Sequence, residues 1–328
     1  HVSSRRQRQM CIRDSRMASR KGNPVHGWVI LDKPEELSSS RAVGIVRRVF
    51  NAAKAGHGGT LDPLATGILP IALGEATKTV SFAMHGAKSY EFTLQFGSQT
   101  STDDREGEVI ATSDNRPERA AIEAALPGFT GEIDQRPPIF SAIKVDGRRA
   151  YDIARKAVAD GLDSLPELES RPVVVDRLEL RDADAGSATF FVACGKGTYI
   201  RSLARDLAVA LGTVGHVSRL RRLSVGPFDE SDAISLAFLE KLEHSAAAFE
   251  HLKPVTSALD DIPALPVSAG EAAKLRHGQT LPALSPAAEA RFAELVAAGT
   301  GVAIAGSVPV ALVSVKAGQL HPLRVFNL

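Results

Sequence analysis

Gly56-His-Gly-Gly-Thr-Leu-Asp-Pro-Leu-Ala-Thr-Gly67 is the stretch from which the rest of the chain is read. Four glycines in twelve residues allow positive φ values and close approach of the backbone to a ligand. Among them stand His57, Thr60, Asp62 and Thr66. An isolated Asp-Pro pair ordinarily forms a turn in which the carboxylate bonds its own backbone. A phosphate cradle is a second option, but the G-x-x-x-x-G-K-[ST] pattern is missing, so nucleotide hydrolysis has little support.

Outward from this loop the elements alternate irregularly. Trp28 to Leu31 reads as a strand ended by Asp32-Lys33-Pro34, and Ser38 or Ser39 caps a helix whose Val43, Val46, Val49 and Phe50 keep helical spacing. Ile68 to Leu73 reads as a strand, and a helix follows from Glu75 to Met84. In Lys88 to Gly97, Tyr90, Phe92, Leu94 and Phe96 alternate with polar residues, the period of a strand with one buried face. An acidic loop, Thr102 to Gly107, precedes a strand and a helix from Glu118 to Leu126. A short helix runs through Lys156, and Pro172 to Leu180 and Thr189 to Cys194 fit strands. Ile200 to Leu211 is a helix terminated by Gly212, and Val214 to Val225 is extended. Residues 229–251, with six acids and one base, follow a helical pattern. Asp260 to Pro263 is a linker, and beyond it come a capping box at Ser268 and Glu271 and short Val/Leu-rich strands. The pattern is α+β rather than a doubly wound sheet. It divides into a basic extension over 1–22, a body over 23–252 and a small β-rich domain over 253–328.

The 328 residues are 44% apolar and 23% charged, which excludes wholesale disorder, a collagen-like repeat and a coiled coil. No apolar run reaches the ~18 residues of a membrane span. Cys11 and Cys194 cannot build a disulfide framework, which suits a reducing cytoplasm, and no Cys/His cluster has metal-ligand spacing. The net charge of +1 is uneven: residues 1–22 carry seven Arg/Lys against Asp14, or +6, which leaves −5 for the rest. Met17 reads as a start, and the residues before it as an upstream extension or a basic RNA-binding tail. A nucleic-acid partner therefore requires local basic patches. Residues 136–156 (Arg136, Lys144, Arg148, Arg149, Arg155 and Lys156 against Asp146 and Asp152) net +4. Residues 197–222 (Arg201, Arg205, Arg219, Arg221 and Arg222 against Asp206) also net +4. A single such cluster is ordinarily a solvated surface.

Gly56 to Pro70 resembles the catalytic motif of the TruB family of tRNA pseudouridine synthases. Other segments match in the family's order: Gly27-Trp-Val-Ile-Leu-Asp-Lys-Pro34, Gly74-Glu-Ala-Thr-Lys78, Lys88-Ser-Tyr-Glu-Phe92, Gly195-Lys-Gly-Thr-Tyr-Ile-Arg201 and His216-Val-Ser-Arg-Leu-Arg-Arg-Leu223. The similarity spans residues 24 to 228, and the C-terminal part matches only loosely.

The resemblance implies a mixed, largely antiparallel sheet of the pseudouridine synthase type with a small PUA-like RNA-binding domain after it. It implies a monomeric, cytoplasmic enzyme that acts without cofactor, metal or obligatory protein partner. The substrate is the T-arm of tRNA, and the reaction isomerises the T-loop uridine at conventional position 55. That chemistry breaks the N1–C1′ bond, turns the base and rejoins it through C5, with nothing oxidised or hydrolysed. Asp62 is carried over as the carboxylate beside the sugar, Arg201 as its partner and Tyr90 as the ring that stacks on the base. Tyr199 and Leu220 resemble further pocket residues, His57 the wedge that fills the vacated stack, and Lys33 a support of the catalytic loop. Lys144, Arg148, Arg149, Arg155, Lys156, Arg219, Arg221 and Arg222 are the candidate phosphate contacts, the first five in an RNA-gripping insertion near 136–165 that closes over the T-arm. Two rival readings share these features: a guide-RNA-dependent synthase of the dyskerin type, and a non-catalytic RNA-binding protein in which Asp62 only forms a turn.

Overall fold

The strand Lys88–Phe96 buries Tyr90, Phe92, Leu94 and Phe96 and leaves the intervening residues partly exposed, which places it at the centre of a sheet covered on one face. It pairs antiparallel with Gly215–Val225 on one side and Ser187–Cys194 on the other. Arg171–Ala183 and Gly131–Gln135 extend the sheet antiparallel. On the opposite flank Gly215–Val225 meets Thr66–Leu73 in parallel, through Arg221–Thr66 and Arg222–Gly67, and Gly27–Lys33 then pairs antiparallel with Thr66–Leu73. Among the described residues ten strands join in this mixed, largely antiparallel sheet, the α+β architecture expected. The computed structural model describes residues 22–141, 143–145, 147–159, 168–243, 245–282 and 286–328. The extension over 1–21, including Cys11, lies outside the described residues.

The helix Ile200–Ala210 covers the sheet with Ile200, Leu203, Ala204, Leu207 and Ala208, all buried and spaced as one helical stripe. The helix Ser39–Val49 buries Ala42, Val46 and Val49 in the same core, and Ser38 caps it by accepting from the Arg41 N–H. Capping by Ser38 leaves the Ser39 hydroxyl free for the neighbouring loop. Phe92 and Phe190 stack across adjacent strands with centroids 5.1 Å apart.

A second, five-stranded sheet runs in the order Ala264–Pro266, Gly301–Ala305, Val308–Lys316, Gln319–Val325, Leu281–Pro282. The expected capping box is present at the helix Ala269–Arg276, with Ser268 and Glu271 bonding reciprocally. The two sheets share an apolar seam in which Trp28, Ile30, Ile68 and Phe228 cluster with Val302, Leu312 and Phe326. At its rim Glu75 accepts from Lys78 Nζ at 2.6 Å and from the Asn327 N–H at 2.8 Å, and Lys78 also donates to the Val325 carbonyl at 2.7 Å.

Three expectations change. Residues 229–251 do not form one helical run but three short pieces, Glu230–Asp232, Leu236–Lys241 and Ala246–His251. Asp229, Ser235 and Ser245 each accept a backbone N–H and so start a new turn at each break. The expected Glu75–Met84 helix is a 3₁₀ turn, Gly74–Lys78, followed by a separate helix, Val80–His85. Pro286–Ala298 is helical rather than extended, in keeping with its Ala- and Glu-rich composition.

Gly67 lies where the parallel strands Thr66–Leu73 and Gly215–Val225 pair, opposite Arg222. Its φ is +96°, and a Cβ there would lie 2.1 Å from the Arg222 carbonyl oxygen. Gly67→Ala is expected to reduce unfolding free energy by roughly 2–4 kcal/mol in urea titrations. A loss below about 1 kcal/mol would show that this crossing relaxes easily.

Candidate active site

Three side chains from outside the Gly56–Gly67 loop hold its main chain. The Ser39 hydroxyl accepts from the Leu61 N–H and donates to the Leu61 carbonyl, both at 2.8 Å. Lys33 is fully buried, and its Nζ donates to the carbonyls of Pro63 at 3.2 Å, Pro34 at 2.9 Å and Leu37 at 2.8 Å. Arg222, also buried, donates to Gly59 O at 3.1 Å, Thr60 O at 3.3 Å and Ile68 O at 2.8 Å. Carbonyls on both sides of Asp62 therefore face cationic donors. The Asp-Pro turn is closed by the backbone, Ala65 N–H to Asp62 O at 3.1 Å.

The Asp62 carboxylate points to Arg201. Arg201 Nε lies 2.9 Å from Asp62 Oδ2, with the guanidinium side chain 5% exposed and the carboxylate 34% exposed. Arg201 Nη1 also lies 3.3 Å from Asp104 Oδ2, and the guanidinium donates to Thr102 O at 2.9 Å and Phe140 O at 3.1 Å. Asp104 is buried and accepts from the Thr102 hydroxyl at 2.6 Å and the Glu106 N–H at 3.0 Å. The acidic loop is thus part of the site. It is tied again to the Ile200–Ala210 helix by Arg205, which pairs with Asp103 at 2.8 Å and Asp206 at 2.9 Å. Burial foremost raises the Asp103 carboxyl above its ordinary value, and Arg205 opposes the shift.

Tyr90 stands opposite Arg222 in register on the neighbouring strand. Burial raises the phenol above its ordinary value, Arg222 pulls it back, and the charge of Asp62 also reaches it. Tyr199 begins the Ile200–Ala210 helix and is clamped by the buried Gln135 amide, which accepts from Tyr199 N–H at 2.7 Å and donates to Tyr199 O at 3.1 Å. Burial raises its phenol too, and the charges of Arg201 and Asp62 act on it. Leu220 is buried on the Gly215–Val225 strand, opposite Phe92.

Asp62, Arg201, Tyr90, Tyr199 and Lys33 therefore gather around one loop. His57 differs from expectation: rather than standing on an exposed loop, it ends the short strand Ala55–His57, paired with Ile71. Its Nδ1 is buried with no hydrogen-bond partner among the described residues. Burial, then the Arg222 cation, lowers its proton affinity and so favours the uncharged imidazole.

The basic count over residues 197–222 does not become a surface patch. Arg222 lies in the interior, which corrects its assignment as a phosphate contact. Arg221 pairs with Asp32 at 3.0 Å and Glu230 at 2.6 Å, and Arg201 and Arg205 pair as above. Of the five arginines in that stretch Arg219 is the exposed one. In the other cluster Arg148 and Lys156 are exposed, while the side chains of Lys144, Arg149 and Arg155 lie outside the description. Sequence reasoning missed Ser39, Gln135 and Asp104 as parts of the site, because each acts on a segment remote in the chain. Among the described residues no group of three or more His, Cys, Asp or Glu could hold a metal ion, and no helix is long and apolar enough to cross a membrane.

Residues 47–200 match the TruB family pseudouridylate synthase N-terminal domain, and residues 201–260 match the tRNA pseudouridylate synthase B C-terminal domain. The chain is 54% identical over 311 residues to the tRNA pseudouridine synthase B of Caulobacter vibrioides, covering 94% of this chain and 98% of that protein. It is 49% identical over 310 residues to that of Rhodospirillum rubrum, covering 94% and 99%. Among solved structures, one from a Cbf5–Nop10–Gar1 complex aligns with a TM-score of 0.66 and 25% identity, covering 91% of this chain and 84% of the other.

Lys33 gives the site a pH signature. Burial, the largest cause, lowers its ammonium from 10.5 to about 8, with the nearby Asp62 charge opposing. Between those values the unfolded chain binds more protons than the folded one, so the Lys33 contribution to stability rises with pH there; below about pH 8 the full cost of the buried charge remains. Lys33→Met is expected to remove this rise. The gap in unfolding free energy between wild type and variant should shift by about 1–3 kcal/mol from about pH 7.5 to about pH 10. A gap that does not vary with pH would refute a buried ammonium at this position.

Proposed function

The chain belongs to the TruB family of pseudouridylate synthases, and from that premise we propose that it isomerises the T-loop uridine at conventional position 55 of tRNA, as a stand-alone cytoplasmic monomer. The chemistry requires access to both C1′ and C5, which a stacked base denies. The nucleotide must therefore be everted at a cost of a few kcal/mol. Asp62 meets the ribose of that nucleotide. The observation that carries this reading is the 2.9 Å pair in which a buried guanidinium holds a carboxylate that remains 34% exposed. A buried, charge-assisted donor orients the carboxylate while its open side accepts a ligand.

The remaining roles follow from position. Tyr90 and Tyr199 hold the base, with stacking on an aromatic ring contributing about 1–3 kcal/mol. Leu220 supplies apolar wall, and His57 props the emptied stack, its charged form disfavoured by burial and by Arg222. Lys33 and Ser39 keep the loop around Asp62 in place. Arg148, Lys156 and Arg219 are exposed cations suited to phosphates, a grip that weakens steeply with salt. Action without a guide RNA is supported by the relatives named tRNA pseudouridine synthase B, at 54% and 49% identity, against 25% for the Cbf5 chain seen in a complex.

The test is an unmodified tRNA transcript, the purified protein and nothing else, with carbodiimide mapping of pseudouridine. Wild type is expected to give product at the T-loop uridine. Asp62→Asn should bind the same RNA within about threefold and lose at least about 10³-fold in rate. An active Asp62→Asn variant would remove Asp62 from the chemistry. A wild type that binds but never converts the transcript would point to a binding protein, and one that converts it only with guide RNA and partner proteins to the dyskerin type.

A further inference from the structure

Gln135 is the last residue of the strand Gly131–Gln135, and it is buried, with 1% exposed. Its amide meets both main-chain groups of one residue: Oε1 accepts from the Tyr199 N–H at 2.7 Å, and Nε2 donates to the Tyr199 carbonyl at 3.1 Å. A primary amide carries an acceptor and a donor on one rigid plane, so the pairing copies what a neighbouring strand would offer. The Tyr199 carbonyl already accepts from the Leu203 N–H at 3.0 Å, as a first bond of the helix. Satisfying the remaining N–H takes one acceptor, and the donating arm of Gln135 is not needed for it. What the second arm adds is a hold on the peptide groups at both sides of the Tyr199 Cα, which sits at φ −102° and ψ 113°.

Two parts of the site depend on that Cα. One is the Tyr199 ring. The other, two residues on, is Arg201, whose Nε lies 2.9 Å from Asp62 Oδ2. Tyr199 itself offers no side-chain cap to the helix, so the entry of the first turn is set from outside. The segment after Gln135 is bonded to the same stretch of helix. The Ser202 hydroxyl donates to the Arg136 carbonyl at 2.7 Å, Arg205 Nη2 to that carbonyl at 2.9 Å, and Arg201 Nη2 to the Phe140 carbonyl at 3.1 Å. Those three bonds use main-chain carbonyls, which any sequence supplies. At Gln135 the segment's own side chain makes the connection, and there the residue type matters.

Resting on the isomerase reading above, we infer that Gln135 is a positioning residue for the reaction: through both peptide groups of Tyr199 it sets the Arg201 guanidinium, and with it the Asp62 carboxylate, at the ribose. It touches no substrate and moves no proton. Without the clamp the helix start is free to rotate about its remaining bonds, and the guanidinium moves with it. Misplacing a reacting group by about 1 Å costs about 10²-fold in rate, so a small rotation at Tyr199 is felt at Asp62.

The test separates the hydrogen-bonding pattern of the side chain from its bulk. Gln135→Met keeps the length and removes both bonds. Gln135→Glu as the neutral acid offers an acceptor and an O–H donor and keeps both; ionised, it sets a second acceptor against the Tyr199 carbonyl. Burial favours the neutral acid, while Arg136, Arg171, Arg201 and Arg205 around this junction favour the ionised one, so acidification restores the clamp. Wild type and both variants are compared from about pH 5.5 to about pH 8.5 in single turnover at saturating T-arm stem-loop, with RNA affinity and urea unfolding measured alongside. Gln135→Met is expected to lose about 30-fold in rate at every pH, with RNA affinity within about threefold. Gln135→Glu should exceed Gln135→Met by at least about tenfold at the acid end. A Gln135→Met rate within about threefold of wild type would overturn the inference, whatever its stability. So would a Gln135→Glu rate no better than that of Gln135→Met at the acid end. Should Gln135→Met fail to fold, the ratio of Gln135→Glu to wild type decides alone: it must fall as pH rises, at constant RNA affinity, and a flat ratio overturns the inference. Wild type inert on the stem-loop would instead count against the proposed function.

Discussion

Arg201 reaches Asp62 across 2.9 Å from the first turn of a helix, and both ends of that contact are fixed by something else. The helix is seated by its buried stripe, and the Gln135 amide grips Tyr199 just before it. The aspartate rides on a glycine-rich loop whose middle, between the strands that end at His57 and begin at Thr66, has no regular structure to stiffen it. Its rigidity is supplied by Ser39, Lys33 and Arg222, each bonding a carbonyl or N–H of the loop. Desolvating Arg201 is costly. Asp104 shares the charge from the other side, which lets the Asp62 carboxylate stay partly open without leaving a buried cation unanswered.

The sheet topology exists around this contact. Arg222 pairs in register with Gly67 on one neighbouring strand and Tyr90 on the other, so one residue connects the end of the loop to the aromatic strand. Only a residue without a Cβ fits at Gly67, because the Arg222 carbonyl occupies that space. The strand order, the glycine and the buried arginine form a single arrangement, and a change in any one is felt by the other two.

Local rules made much of this legible before any coordinates. Alternation identified Lys88–Phe96, and helical spacing with Gly212 identified Ile200–Ala210, since both signals depend on near neighbours and on which face is buried. Asp62, Tyr90, Tyr199 and Arg201 were named from motif resemblance, and the fold supplies what motifs cannot, their convergence from separate strands and a helix. Charge counting failed over residues 197–222 because a linear sum cannot see Asp32, Asp62, Asp103, Asp104 and Glu230 arriving from elsewhere. The same blindness hid Asp104 and Gln135, whose partners lie far along the chain. Ser38 and Ser39 were interchangeable as caps on paper; the fold uses one for the helix and the other for the loop.

The apolar seam of Trp28, Ile68, Phe228, Leu312 and Phe326 packs the two sheets directly against each other. Glu75 and Lys78 fasten the segment that follows the Thr66–Leu73 strand to Val325 and Asn327. Parting the sheets would put that apolar contact into water, so their mutual placement is opposed by the hydrophobic effect and not left to the connecting chain alone.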